Sequence, residues 1–169
     1  MTPPNAELPK IERGWNELSE LVERLGPDGL ATRGLNGWSV RDHLAHVAAW
    51  ELSALGILRG ENRIAIMGIS GVGWDVDAIN NAVWELHRHQ TDAEVMAYCR
   101  NAHDSLVAAL SNLSDADLQL PYSHYQPHVD IGPDGSRPVV EWMGGNTYEH
   151  YAEHIGWIDQ LIKESSAAR

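Results

Sequence analysis

Apolar residues recur at Ile11, Trp15, Leu18, Val22 and Leu25, with polar residues between them. Steps of three and four mark one face of an α-helix, so the pattern predicts a first helix over 6–25. Gly26-Pro27-Asp28-Gly29 then closes it with turn chemistry. A second helix is predicted from Ser39, where Ser39-x-x-Asp42 has the form of a capping box, to about Arg59, with Gly60 as its stop. Leu44, Val47 and Leu55 share one side of it. His46, Trp50 and Ile57 fall on roughly the opposite side, so this helix is expected to be buried on two sides.

Further along, Val76, Ile79, Val83 and Leu86 keep helical register over 75–89. Thr91-x-x-Glu94 opens another helix whose buried face carries Val95, Cys99, Ala102, Leu106 and Leu113. Ser114 to Leu118 reads as one extra turn. The last helix is expected over about 139–164, bent or delayed by Gly144-Gly145, with Asn146-x-x-Glu149 capping its main part. Two stretches break the pattern. Residues 60–74 are glycine-rich and read as a loop or lid. Residues 119–138 hold four prolines and an Asp134-Gly135 pair, and read as a long functional loop. No strand pair or internal repeat is evident, and the expected architecture is all-α.

Length and composition narrow this further. With 169 residues, the chain fits a single domain spanning 1–169. One cysteine cannot form an internal bridge, and no apolar run reaches the roughly 18 residues of a membrane helix. The opening segment lacks a basic and apolar leader pattern, so a cytoplasmic location without a membrane is expected. A net charge of −12, with no basic cluster, argues against nucleic acid as a partner. More pointed is the absence of Phe beside seven Trp and nine His. Tryptophan suits the wall of a cleft, and histidine is the commonest metal ligand.

His150 and His154 are four apart in a helical segment, which sets two imidazoles one turn apart on one face. The string His150-Tyr-Ala-Glu153-His154 also matches the inverted zinc-protease motif, but too few residues follow to supply that site's further ligand. Glu153 stands as a candidate to orient a ligand ring, or as a solvated helix residue. A third ligand must come from another helix, where His46 is preferred over His43. His46 shares a face with Trp50, whereas His43 falls in the first turn. Three imidazoles would hold zinc, nickel, iron or manganese and leave a position open. Trp50 and Trp157, with the 119–138 loop, are the expected walls of a substrate cleft. His87, His89, His103, His124 and His128 show no ligand spacing, and Cys99 sits on a packed stripe.

The segment from Gly37-Trp38-Ser39 through His43-Leu44-Ala45-His46 to Trp50-Glu51 resembles the second helix of the DinB-like (YfiT-like) superfamily, and the ending Thr147 to His154 resembles its last. The middle, Asp75 to Asn80 and Leu113 to Leu118, is similar to the DfsB/ClbS branch. The resemblance runs from about residue 8 to residue 164. It implies an up-down four-helix bundle, often a homodimer, with a divalent metal on one histidine of the second helix and an HxxxH pair of the last. Carried over, these are His46, His150 and His154. Relatives of this kind include thiol-dependent S-transferases, which implies a detoxification enzyme adding water or a low-molecular-weight thiol to a small electrophile. The DfsB/ClbS branch implies instead a metal-independent protein that binds or hydrolyses a reactive natural product. A non-catalytic module binding a small-molecule ligand is the third reading.

Overall fold

Local chemistry starts and stops most of the helices. The computed structural model describes residues 5–168; Met1–Pro4, part of the segment read above for a leader, lie outside it. Helix α1 spans Leu8–Leu30 but leaves helical geometry at Gly26, whose φ of +62° is left-handed. The expected stop is thus a break, after which Pro27 starts one more turn. Helix α2, Val40–Arg59, begins at a complete capping box: Ser39 Oγ accepts from Asp42 N, and the Asp42 carboxylate accepts from Ser39 N. Each such cap contributes on the order of 1 kcal/mol. Gly60 ends α2 with a φ of +67°.

Within 60–74, expected as a loop, the Asn62 side chain caps a single turn, α3 (Arg63–Ile66), and the remainder is irregular. Asp75 caps α4, Val76–His87. Thr91 and Glu94 form the second capping box and start α5, Asp92–Leu110. Ser114 and Asp117 form a third, at α6, Asp115–Leu118. The 119–138 segment is more ordered than a free loop. It carries α7 (Tyr122–Tyr125) and a 3-10 turn, Gly132–Ser136. Its base is tied shut where Tyr122 N donates to Arg137 O and Val139 N to Leu120 O.

The last helical stretch is two helices, α8 (Val140–Asn146) and α9 (Tyr148–Ala167), broken at Thr147. The glycine pair stays inside α8. Asn146 does not cap α9 either: its side-chain amide donates to Trp142 O, and Thr147 Oγ1 donates to Met143 O.

The long helices α1, α2, α5 and α9 form the bundle. α2 lies along α5, α1 along α9, and α2 meets α9 across the interior. Ile11, Leu18, Leu44, Leu55, Leu106 and Ile158 are among the residues that fill the core. Burying each such side chain is worth roughly 1.5–3 kcal/mol. A second apolar cluster, Ala49, Met67, Ile69, Ile79 and Val83, seats α4 on α2. As expected for a helix flanked on both sides, α2 is buried along nearly its whole length. Among the described residues, no helix is long and apolar enough to cross a membrane.

Candidate metal centre

Two helices meet face to face with histidines on both. The Ser39 cap fixes the start of α2 and with it the phase of His43 and His46, one turn apart. The break at Thr147 fixes the start of α9 and presents His150 and His154 from its first two turns. His46, His150 and His154 each bring a ligand atom to within 4.8 Å of the others. His46 Nε2 and His150 Nε2 stand 3.1 Å apart. Two imidazole lone pairs approach so closely only around a shared proton or a shared cation. Two nitrogens on one tetrahedral zinc lie about 3.3 Å apart, given bonds of about 2.0–2.1 Å.

His43 is the residue sequence reasoning passed over. It is buried, not exposed, and its Nδ1 lies 2.9 Å from His154 Nδ1. One tautomer of the pair has His154 Nδ1–H donating to His43 Nδ1, which leaves His154 Nε2 free as a ligand atom. That Nε2 is buried and has no partner. A ligand histidine whose other nitrogen is held this way has a fixed ring and tautomer. The signal was available as the three-residue step from His43 to His46. What hid it was tertiary: Trp38 sets its ring edge-on against both, at 5.3 Å, and Trp157 approaches His43 at 6.3 Å.

Glu153, the other candidate for orienting a ligand, is exposed and makes no hydrogen bond to a histidine. His46 Nδ1 and His150 Nδ1 find no partner at all.

The environment keeps these rings neutral. Burial lowers the pKa of His43 and of His150 from 6.5 to about 4. It lowers His46 to about 3, with repulsion from His150 and His43 adding to it. His154 is pushed down further, by burial first and then by its three histidine neighbours. At neutral pH all four are therefore lone-pair donors, as metal ligation requires.

The cluster floors an open cleft of about 570 Å³. Trp157, half exposed, forms part of its wall and packs edge-on against His154 at 4.7 Å. Trp50 stands beside His46, at 6.2 Å between ring centroids, but its indole N–H is spent on Asn80 Oδ1 and it does not line the cleft. The 119–138 segment does not wall this cleft either. It borders a different one, because its paired base holds it against α3 and the end of α2.

Donor type, convergence, neutrality and access all suit a divalent ion. Comparison with known protein families matches the chain to the DinB superfamily over residues 10–158. The chain belongs to the DinB superfamily. In this DinB-superfamily bundle the histidine group is compatible with a metal-binding role, and the donors do not select among zinc, nickel, iron and manganese. No curated protein and no solved structure matches the chain.

The remaining histidines are placed apart from the cluster. His87 packs on Tyr98 and bonds Gln90, while His124 and His128 are exposed on the 119–138 segment. His103 is buried against Glu51, at 2.9 Å. Cys99 is buried in the core, and burial pushes its thiol well above the usual range, so it is no nucleophile.

Proposed function

We propose that this protein is a metal-dependent detoxification enzyme that adds water or a low-molecular-weight thiol to a small electrophile in the histidine cleft. The observation that carries this reading is the convergence of three neutral imidazoles at the floor of a cleft open to solvent. His46, His150 and His154 would hold a divalent ion, which would supply Lewis acidity toward a water, a thiol or an electrophile in the cleft.

The chain's own residues have distinct tasks. His46, His150 and His154 hold the ion, and His43 fixes the ring of His154. Trp38 and Trp157 cover the ring edges and shed water from that side. Asn80 and Gln160 supply neutral polar groups along the cleft, suited to orienting a substrate without charging it. The segments Asp75 to Asn80 and Leu113 to Leu118 support the alternative, a metal-independent DfsB/ClbS-like protein that binds or hydrolyses a reactive natural product.

The test is turnover of a small aryl halide or epoxide, with water alone and with added cysteine or glutathione. Zinc-, nickel-, iron- and manganese-loaded protein are compared. The expected result is saturable turnover that chelation removes, metal restores and His46→Ala lacks. Turnover indifferent to chelation would favour the metal-independent reading. Stoichiometric binding without product would favour a ligand-binding module.

A further inference from the structure

A second cleft, of about 590 Å³, opens where the 119–138 segment folds against α3, and it shares no lining residue with the histidine cleft. Its chemistry centres on Arg63. Gly56 lets α3 sit close on α2: a Cβ there would meet Ile66 Cγ2 at 3.1 Å and the Arg63 Cα at 3.4 Å. From that position Arg63 Nε donates to Oγ of the fully buried Ser53, at 2.9 Å. Its guanidinium carbon lies 4.3 Å from the centre of the Trp74 ring. One face and one nitrogen are thus fixed, and the Tyr122 hydroxyl is the neutral neighbour of the guanidinium.

This is unusual company for a cation in a chain with 24 acidic and 12 basic residues. Arg41 and Arg88, the other half-buried arginines among the described residues, are ion-paired to Asp92 and Glu85. No carboxylate among the described residues pairs with Arg63. Burial lowers its pKa, and the neighbouring Tyr122 only partly offsets this. A half-buried guanidinium fixed by Ser53 and Trp74 and without a carboxylate partner is primed for an anion, and its flat fork matches a carboxylate in two places.

The rest of the cleft states what the anion is attached to. Trp74 and Trp142 present indole surfaces, and the Tyr122 ring packs on Trp142 with centroids 4.9 Å apart. Flat aromatic walls favour a flat apolar body. Asp130 and Asp134 stand at the rim. Asp134 is paired to Arg137 at 3.3 Å, but Asp130 has only the Gly132 N–H, so a ligand with a second negative charge would be repelled.

We propose that this cleft is a second small-molecule site, taking a planar organic monoanion whose carboxylate Arg63 grips while its ring lies between Trp74 and Trp142. It is independent of the metal reading, because the two clefts share no lining residue.

The test uses 1-naphthoate and its neutral amide, 1-naphthamide. Both are titrated calorimetrically into metal-free protein, with the Trp indole N–H resonances followed in parallel. Naphthoate is expected to bind saturably, at least about tenfold tighter than the amide, and to shift the Trp74 and Trp142 resonances. Arg63→Gln is expected to abolish the preference, whereas the His46/His150/His154 triple-alanine variant keeps it. Equal binding of acid and amide to wild-type protein, or no saturable binding, overturns the proposal even if Arg63→Gln fails to fold. Loss of naphthoate binding in the histidine variant overturns it too, by placing the anion in the other cleft.

Discussion

On one side of α2, Glu51 meets His103 and Tyr151 in the core; on another, His46 meets His150 and His154 at the floor of a cleft. Both groups contain buried histidine, yet they differ in how their polar atoms are spent. Tyr151 O–H and His103 both bond Glu51 Oε1, and His103 stacks flat on Trp15 with centroids 4.1 Å apart. Neither of the two clefts is lined by Glu51, His103 or Tyr151, and among the buried side-chain atoms of these three only Glu51 Oε2 lacks a partner within the described residues. In the cleft group, three ring nitrogens are buried and unpartnered, and the rings crowd one another rather than a carboxylate. Burial of a histidine therefore says little by itself. Converging lone pairs with access from solvent distinguish a ligand set from a structural hydrogen bond.

The comparison can be broken by substitution, and the largest effect is expected on the core side. His103→Ala leaves the Glu51 carboxyl buried with one partner fewer. Breaking a buried pair costs about 3–5 kcal/mol, so urea denaturation is expected to show a loss of that order with metal content unchanged. A loss of metal without a loss of stability would reverse the roles assigned to the two groups.

Acidification is next in size and acts on the cleft side. A histidine with a depressed folded pKa resists protonation while the unfolded chain takes up protons freely. Its stability contribution is complete above about pH 6.5, the model-peptide range, and is lost as pH falls through the folded pKa. For His43 and His150 that point is about 4, and for His46 about 3. Metal-free protein is expected to lose denaturation midpoint steadily from pH 6.5 to 4. The His46/His150/His154 triple-alanine variant should show a flatter curve.

His43→Ala sharpens the distinction between holding a metal and orienting its ligand. Removing an outer hydrogen bond of this kind costs 10- to 100-fold in metal affinity, on the order seen for such partners, while saturating metal still fills the site. His43→Asn returns a polar atom near the Nδ1 position and should recover part of the affinity. An unchanged Kd in His43→Ala would remove His43 from the centre. The smallest effect is expected for Glu153→Gln, which should stay within about 0.5 kcal/mol in both stability and metal affinity, as for an exposed surface substitution.

Most features set by neighbouring residues were legible from the sequence: the Ser39 and Thr91 caps, the extra turn at Ser114, the Gly60 stop, and the HxxxH step of α9, though not the start of α9, where Asn146 bonds back to Trp142. Features set by distant contacts were not. The 119–138 segment reads as a wall of the histidine cleft until the pairing of Tyr122 with Arg137 and of Val139 with Leu120 draws it toward α3. His103 reads as an isolated polar residue because Glu51, its partner, lies on another helix. His43 reads as exposed because nothing local announces that Trp38 folds over it. Asn62 and the turn it caps show the converse: a local signal inside a glycine-rich stretch, hidden by its surroundings.

The most direct measurement is metal content by elemental analysis, after reconstitution with zinc, nickel or manganese, in wild-type protein and the His46/His150/His154 triple-alanine variant. A three-histidine centre predicts about one divalent ion per wild-type chain and none in a variant that remains folded. No metal in either protein, or equal metal in both, would contradict it.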